Sequence, residues 1–180
     1  MLEIKVPPCR LWDEKKEEFF FTNKETTLTL EHSLVSISKW ESIWHKPFLV
    51  KTPKKTIDET ISYIQCMMLT KNVDPRICYA IPESEFKRIN EYIENPMTAR
   101  KKKTDGKKNR EVITSELIYY WMISYGIPSE YRKWHLNRLL SLIELCGIKN
   151  TPPKKLSAME RYNKYKALND ARRKAMHSKG

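Results

Sequence analysis

Apolar and charged residues alternate in Leu2–Val6 (LEIKV), the period of a strand with one buried face. Pro7-Pro8 stops that pattern. Glu17 to Thr22 (EEFFFT) and Thr26 to Leu30 (TTLTL) give two further short strands, with Asn23-Lys24-Glu25 as the turn between them. Thr-rich alternation favours strand over helix. The first 31 residues are expected to form a small β meander or hairpin.

The period changes after His32. Ser33 can cap a helix that carries Leu34, Ile37, Trp40 and Trp44 at three- and four-residue spacing, and Pro47 ends it. Thr52 precedes Pro53 and is biased toward extended backbone. Thr56-Ile57-Asp58-Glu59 has the form of a capping box, in which a hydroxyl and a carboxylate three residues apart satisfy free backbone N–H groups reciprocally. The helix after it places Ile57, Ile61, Ile64 and Met68 on one face. A third helix follows Pro82, with Phe86, Ile89 and Ile93 as its stripe, and Asn95-Pro96 closes it.

Thr114 or Ser115 caps a fourth helix bearing Leu117, Ile118, Trp121, Met122 and Tyr125. Gly126-Ile127-Pro128 turns the chain. Ser129 is expected to cap a fifth helix with Leu136, Leu139, Leu140, Ile143 and Cys146 at the 3.6 period, and Gly147 to stand just past its end. This helical hairpin is the expected centre of the core. Pro152-Pro153 breaks the chain again. Ser157-Ala158-Met159-Glu160 is a second capping box, opening a last helix to about Met176 with an apolar stripe of Met159, Tyr162, Tyr165 and Leu168.

The expected fold is mainly α with a small N-terminal β meander or hairpin (α+β): a helical bundle of about five helices plus a basic C-terminal helix. Residues 1–148 should form a single folded domain, with a β start at 1–31 and helices over 33–148. Residues 149–180 should form a basic tail or helix.

Charge sharpens this division. Residues 97–110 (MTARKKKTDGKKNR) carry a net of +6 and residues 149–180 a net of +8, which leaves the other 134 residues at −2 of the total +12. The first segment reads as an exposed basic loop, and its Arg100, Lys101, Lys102, Lys103, Lys107, Lys108 and Arg110 form a candidate basic patch with Arg172, Arg173 and Lys174 of the last helix. Such charge attracts an anionic polymer by counterion release, or an acidic protein surface by complementarity.

The start MLEIKVPPCR has no apolar core of a signal peptide and no small-residue cleavage site. The longest purely apolar run is the seven residues Leu117 to Ile123, far short of the roughly 20 that span a bilayer. A soluble chain in a reducing cytoplasm, with no membrane partner, is expected. Cys9, Cys66, Cys78 and Cys146 make no C-x-x-C pair; Cys66 and Cys146 lie in apolar patterns and read as buried thiols.

Candidate chemistry is sparse. His32, His45, His135 and His177 show no ligand spacing and read as surface or capping residues. The chain has no G-x-S-x-G, no Walker loop and no G-x-G-x-x-G. No catalytic residue, metal site or cofactor is expected. Tyr131-Arg132-Lys133-Trp134-His135 interleaves aromatic and basic groups, as a surface that stacks on bases does. Helical spacing to Arg138 favours Trp134 in the core and the cations on a solvated face. Trp40, Trp44, Trp134 and Arg138 are the candidate partner-binding residues. Trp40 and Trp44 share one helix face, where packing in the core is the ordinary fate and exposure would make a hot spot.

The strings LTLEHSLVSISKWESIWHKPFL (28–49), ITSELIYYWMI (113–123), WHLNRLLSLIELC (134–146), IKNTPPKK (148–155) and ALNDARRKA near the end resemble a family of tailed-bacteriophage proteins. That family is encoded in the virion structural region of siphophage genomes, near the tail genes, and its members are sometimes called tail assembly chaperones. The resemblance covers most of the chain. It implies a non-enzymatic, largely helical protein in the host cytoplasm that binds the long tape-measure protein and keeps it soluble until tail-tube subunits polymerise around it. It leaves two rivals open: a resident tail or head component of the virion such as a connector, and a nucleic-acid-binding protein using 100–110 and 154–179. Self-association is open in each.

Overall fold

Two antiparallel strand pairs begin the chain. β1 (Leu2–Val6) pairs with β4 (Thr26–Leu30), and β2 (Cys9–Asp13) pairs with β3 (Glu18–Thr22). The chain thus runs out and back as one long broken hairpin. Asn23-Lys24-Glu25 is therefore not the expected hairpin turn but a break in the returning arm. Val6 faces Thr26 and Cys9 faces Thr22, so two residues on one arm oppose three on the other. The two are Pro7 and Pro8, which cannot donate to a ladder. An unequal count of this kind acts as a bulge and re-aims the strands beyond it.

The computed structural model describes residues 1–14, 16–50, 54–100, 111–150 and 157–176. Thr52-Pro53, the cations at 101–110, Pro152-Pro153 and His177 lie outside them. The chain divides into two compact units, Met1–Gly147 and Ile148–Gly180.

In the first unit, α1 (Leu34–Trp44) is the hub. It packs on α2 (Ile57–Met67), on α4 (Ser115–Ser124) and on a 3₁₀ turn at Ser129–Lys133. The α4–α5 hairpin is thus not the centre, although Ile118 and Met122 of α4 and Leu136, Leu139 and Ile143 of α5 (Leu136–Asn150) join the core. Ser33 caps α1 by accepting from the Ser36 N–H, and His45 closes it in the left-handed region at φ 52°. The Thr56–Glu59 capping box forms as expected. On α2, Glu59, Ile61, Tyr63, Ile64 and Met67 are buried, whereas Ile57 at its first position is 80% exposed. α3 (Glu83–Glu94) buries Ile89 and Tyr92 and packs along β1. A further 3₁₀ segment, Pro75–Ala80, is opened by the Asp74 carboxylate accepting from the Arg76 N–H.

Glu41 ties the helices together. Its buried carboxylate accepts from the Phe48 N–H at 2.8 Å and from the Ser115 N–H at 2.8 Å. The second bond puts negative charge at the free amides that open α4.

Ser129 does not begin the fifth helix. The chain breaks at Trp134-His135, where the Leu136 N–H donates to the His32 carbonyl at 2.8 Å, and α5 starts only there. Gly147 does not end α5, which continues to Asn150; a Cβ on it would lie 3.2 Å from the Tyr125 hydroxyl. The unexpected continuation follows from hydrogen bonds that a helix makes with or without a glycine, while the missing side chain admits the tyrosine.

In the second unit, α6 (Ala158–Ala175) is opened by the Ser157–Glu160 capping box and buries no residue. Met159, Tyr162, Tyr165 and Leu168 are each exposed by 46–68%. They do not make one stripe. Each step of three residues falls about 60° short of a full turn, so the line slides roughly halfway round the helix.

Candidate functional site

An open groove of about 850 Å³ lies in the first unit, between the start of α1, the ends of α2 and α3, the side of α4 and the start of α5. Val35, Leu69, Met97, Tyr119 and Trp134 contribute apolar side chains to its lining. Lys39, Arg132, Lys133 and Arg138 also line it, all exposed. None of these four cations makes an ion pair among the described residues.

The local chain path explains why these groups meet. Because α5 begins only after the 134–135 break, the 3₁₀ turn and the first turn of α5 lie side by side. Trp134 stacks on Tyr131 with ring centroids 3.9 Å apart, and the Arg138 guanidinium sits 4.0 Å over its ring. Trp134 is half-buried, so it is neither the core residue nor the free stacking platform that the sequence allows.

The floor is polar and internally satisfied. The Tyr92 hydroxyl donates to Glu31 at 2.6 Å, and the Met1 amine lies 3.0 Å from the same carboxylate. His135 donates from Nε2 to the Tyr92 carbonyl at 2.9 Å and accepts at Nδ1 from the Asn137 N–H at 3.3 Å. Both ring nitrogens are used in the neutral form. His32 pairs with the Tyr63 hydroxyl and packs edge-on against His135, with centroids 5.0 Å apart. His32 and His135 are buried, against the surface role expected for them. Burial, with His135 beside it, pushes the His32 pKa down to about 3. Burial also lowers that of His135, opposed by its bond to the Tyr92 carbonyl.

The tryptophans of α1 both reach α2. Trp40 is 1% exposed and donates to the Glu59 carbonyl at 2.8 Å; Trp44 is half-buried and donates to the Ser62 hydroxyl at 3.0 Å. Both bond α1 to α2, and Trp40 leaves no surface for a partner. Of the candidate basic patch, Arg100 is half-buried and tied to α5 through the Ser141 carbonyl at 3.1 Å and Glu144 at 3.3 Å. It is a structural brace. Lys101, Lys102, Lys103, Lys107, Lys108 and Arg110 lie outside the described residues. Arg172, Arg173 and Lys174 are exposed in the last turn of α6, where cations suit the helix dipole.

All four cysteines are free thiols. Cys78 is the buried one, its pKa raised by burial to about 12, whereas Cys66 and Cys146 are only half-buried. Among the described residues no group of three or more His, Cys, Asp or Glu is placed to hold a metal ion, and no helix is long and apolar enough to cross a membrane.

Sequence reasoning missed one surface altogether. On β2 and β3, Arg10, Trp12, Phe19 and Phe21 share a face, and the three aromatics are 50–61% exposed. The alternation of C-R-L-W-D after Pro8 carried that signal.

Comparison of the chain with family models, with curated proteins and with solved structures finds no match in any of the three.

Proposed function

We propose that this chain is a non-enzymatic protein-binding factor of tailed-phage assembly, a chaperone that holds the tape-measure protein before the tail tube forms. The observation that carries the protein-binding class is the groove: an apolar concavity lined with cations that have no ion-pair partner among the described residues, where His135 is bonded to the Tyr92 carbonyl and the Asn137 N–H and Glu31 to the Tyr92 hydroxyl and the Met1 amine. Large pockets with an apolar lining and a few charged groups are the ordinary form of a binding site. The phage assignment rests on the strings at 28–49, 113–123 and 134–146. A tape-measure protein is a long helical chain with apolar stripes, and a groove is the surface that receives such helices.

Co-expression tests this reading. The tape-measure protein should be soluble and co-purify with this chain, and insoluble without it. Failure of the two to co-purify would end the chaperone reading. Stoichiometric presence of this chain in purified virions, measured by mass spectrometry, would instead make it a resident component.

A further inference from the structure

We propose that the groove seats an acidic amphipathic helix of a partner protein. Its apolar face would lie on Val35, Leu69, Met97 and Tyr119, and its carboxylates against Lys39, Arg132, Lys133 and Arg138. The inference names the site and the chemistry of the partner, and it rests on the reading of this chain as a protein-binding factor.

Charge is the first argument. The four exposed cations have no carboxylate partner among the described residues. Glu31, the acidic residue among the described lining residues, already accepts from the Tyr92 hydroxyl at 2.6 Å and pairs with the Met1 amine at 3.0 Å. Among the described lining residues the exposed charges are therefore positive. An acidic partner gains steering and register from such a field, and a basic one is repelled. Repulsion also disfavours α6 of another copy, whose described residues hold six Lys or Arg against Glu160 and Asp170.

Shape and chemistry of the lining are the second argument. A helix with side chains is about 10 Å across, so a groove of about 850 Å³ takes on the order of two turns of it. Two turns present three or four apolar positions on one face.

A nucleic-acid strand fits less well. Single strands are held by aromatic faces on which bases stack. The Trp134 ring is already engaged by Tyr131 and by Arg138, and Val35, Leu69 and Met97 offer aliphatic surface to a polymer whose outside is phosphate.

The test uses the full chain and three fluorescent probes. One is an 18-residue helical peptide with a leucine stripe and glutamates opposite; the second has lysines in place of the glutamates; the third is a single-stranded oligonucleotide of matching length. Anisotropy titrations should show the acidic peptide binding, with affinity falling as salt rises, and the lysine peptide binding at least about tenfold more weakly. The pair K133E and R138E should weaken the acidic peptide by about tenfold or more, while K24E in the exposed strand break leaves it unchanged. If the charge reversals fail to fold by circular dichroism, K133Q with R138Q replaces them, with loss in the same direction.

The proposal is overturned if the acidic peptide does not bind, if both peptides bind equally, or if the rim substitutions leave binding unchanged. Tighter binding of the oligonucleotide, lost on the same substitutions, would also overturn it in favour of a nucleic-acid groove. These outcomes are separate from the co-expression result: a tape-measure protein that still co-purifies with the rim variants keeps the assembly role and removes the groove from it.

Discussion

The two strand pairs of the N-terminal hairpin have the same length and alternate in the same way, yet they do opposite things. In β1–β4, Ile4, Val6, Leu28 and Leu30 are fully buried under the helices. In β2–β3, Trp12, Phe19 and Phe21 face solvent, with the Arg10 guanidinium 4.0 Å over Phe19. What differs is the cover. α3 packs along β1, and β4 runs straight into α1, whereas the segment packed against β2 is the short 3₁₀ stretch Pro75–Ala80. The more aromatic pair is thus the less buried one. Alternation in a sequence shows that one face of a strand differs from the other. It does not say which face finds a neighbour.

Paired truncations would break this comparison most forcefully. Leu28→Ala removes a fully buried side chain beside Ile4 and should lower the unfolding free energy by about 2–5 kcal/mol in urea titrations. Phe21→Ser, on the exposed face, should change it by about 0.5 kcal/mol or less. Equal losses would mean that the distal face is covered in solution.

Acid should separate the two regions by a smaller margin. Below pH 6.5 the unfolded chain protonates His32, while the folded chain resists until about pH 3. The folded state then binds fewer protons, so its stability is full above 6.5 and falls as pH is lowered from there. His135, also depressed, adds to the slope. Each histidine contributes at most ~1.4 kcal/mol per pH unit. Glu59 and Glu116, whose pKa values are held below 4.5, add only under that value. The distal pair is tied by carboxylates to Arg76, and Asp74 is held below its ordinary 3.8 chiefly by the guanidinium. Between pH 6.5 and 4.5 global stability should drop while local opening of β2–β3, followed by amide exchange, stays constant.

How much of this was legible depends on which force decided each element. Local forces wrote clearly: Ser33, Thr56, Thr114 and Ser157 each cap the helix that their spacing implies, with the hydroxyl accepting from the amide three residues on. Pairing between distant segments did not. Asn23-Lys24-Glu25 has turn composition, but which strand meets which is set by the helices waiting beyond Leu30. The break before α5 comes from the His32 carbonyl, a partner over a hundred residues away, which no local pattern can announce. The groove was half visible. Tyr131 to Arg138 showed its mixture of aromatics and cations, but Lys39, Leu69 and Met97 reach it from three other elements.

The distal pair has one tether worth cutting. Arg76 donates to Asp74 at 2.7 Å, to Glu18 at 2.8 Å and to Asp13 at 3.2 Å, and its guanidinium lies 4.9 Å over the Phe20 ring. These acceptors hold its pKa above the ordinary value, the Asp74 bonds most of all. Asp13 and Glu18 face each other at the end of β2–β3, and the guanidinium is a donor shared between them. Arg76→Gln keeps most of the side-chain volume but loses the charge and the fork that bridges three carboxylates. Amides of β2–β3 should then exchange faster while those of β1–β4 keep their rates, and the urea midpoint should barely move. If both pairs loosen together, the hairpin is one cooperative unit and the contrast between its halves is one of exposure only. If only the distal amides respond, the guanidinium is what holds the aromatic ribbon in place.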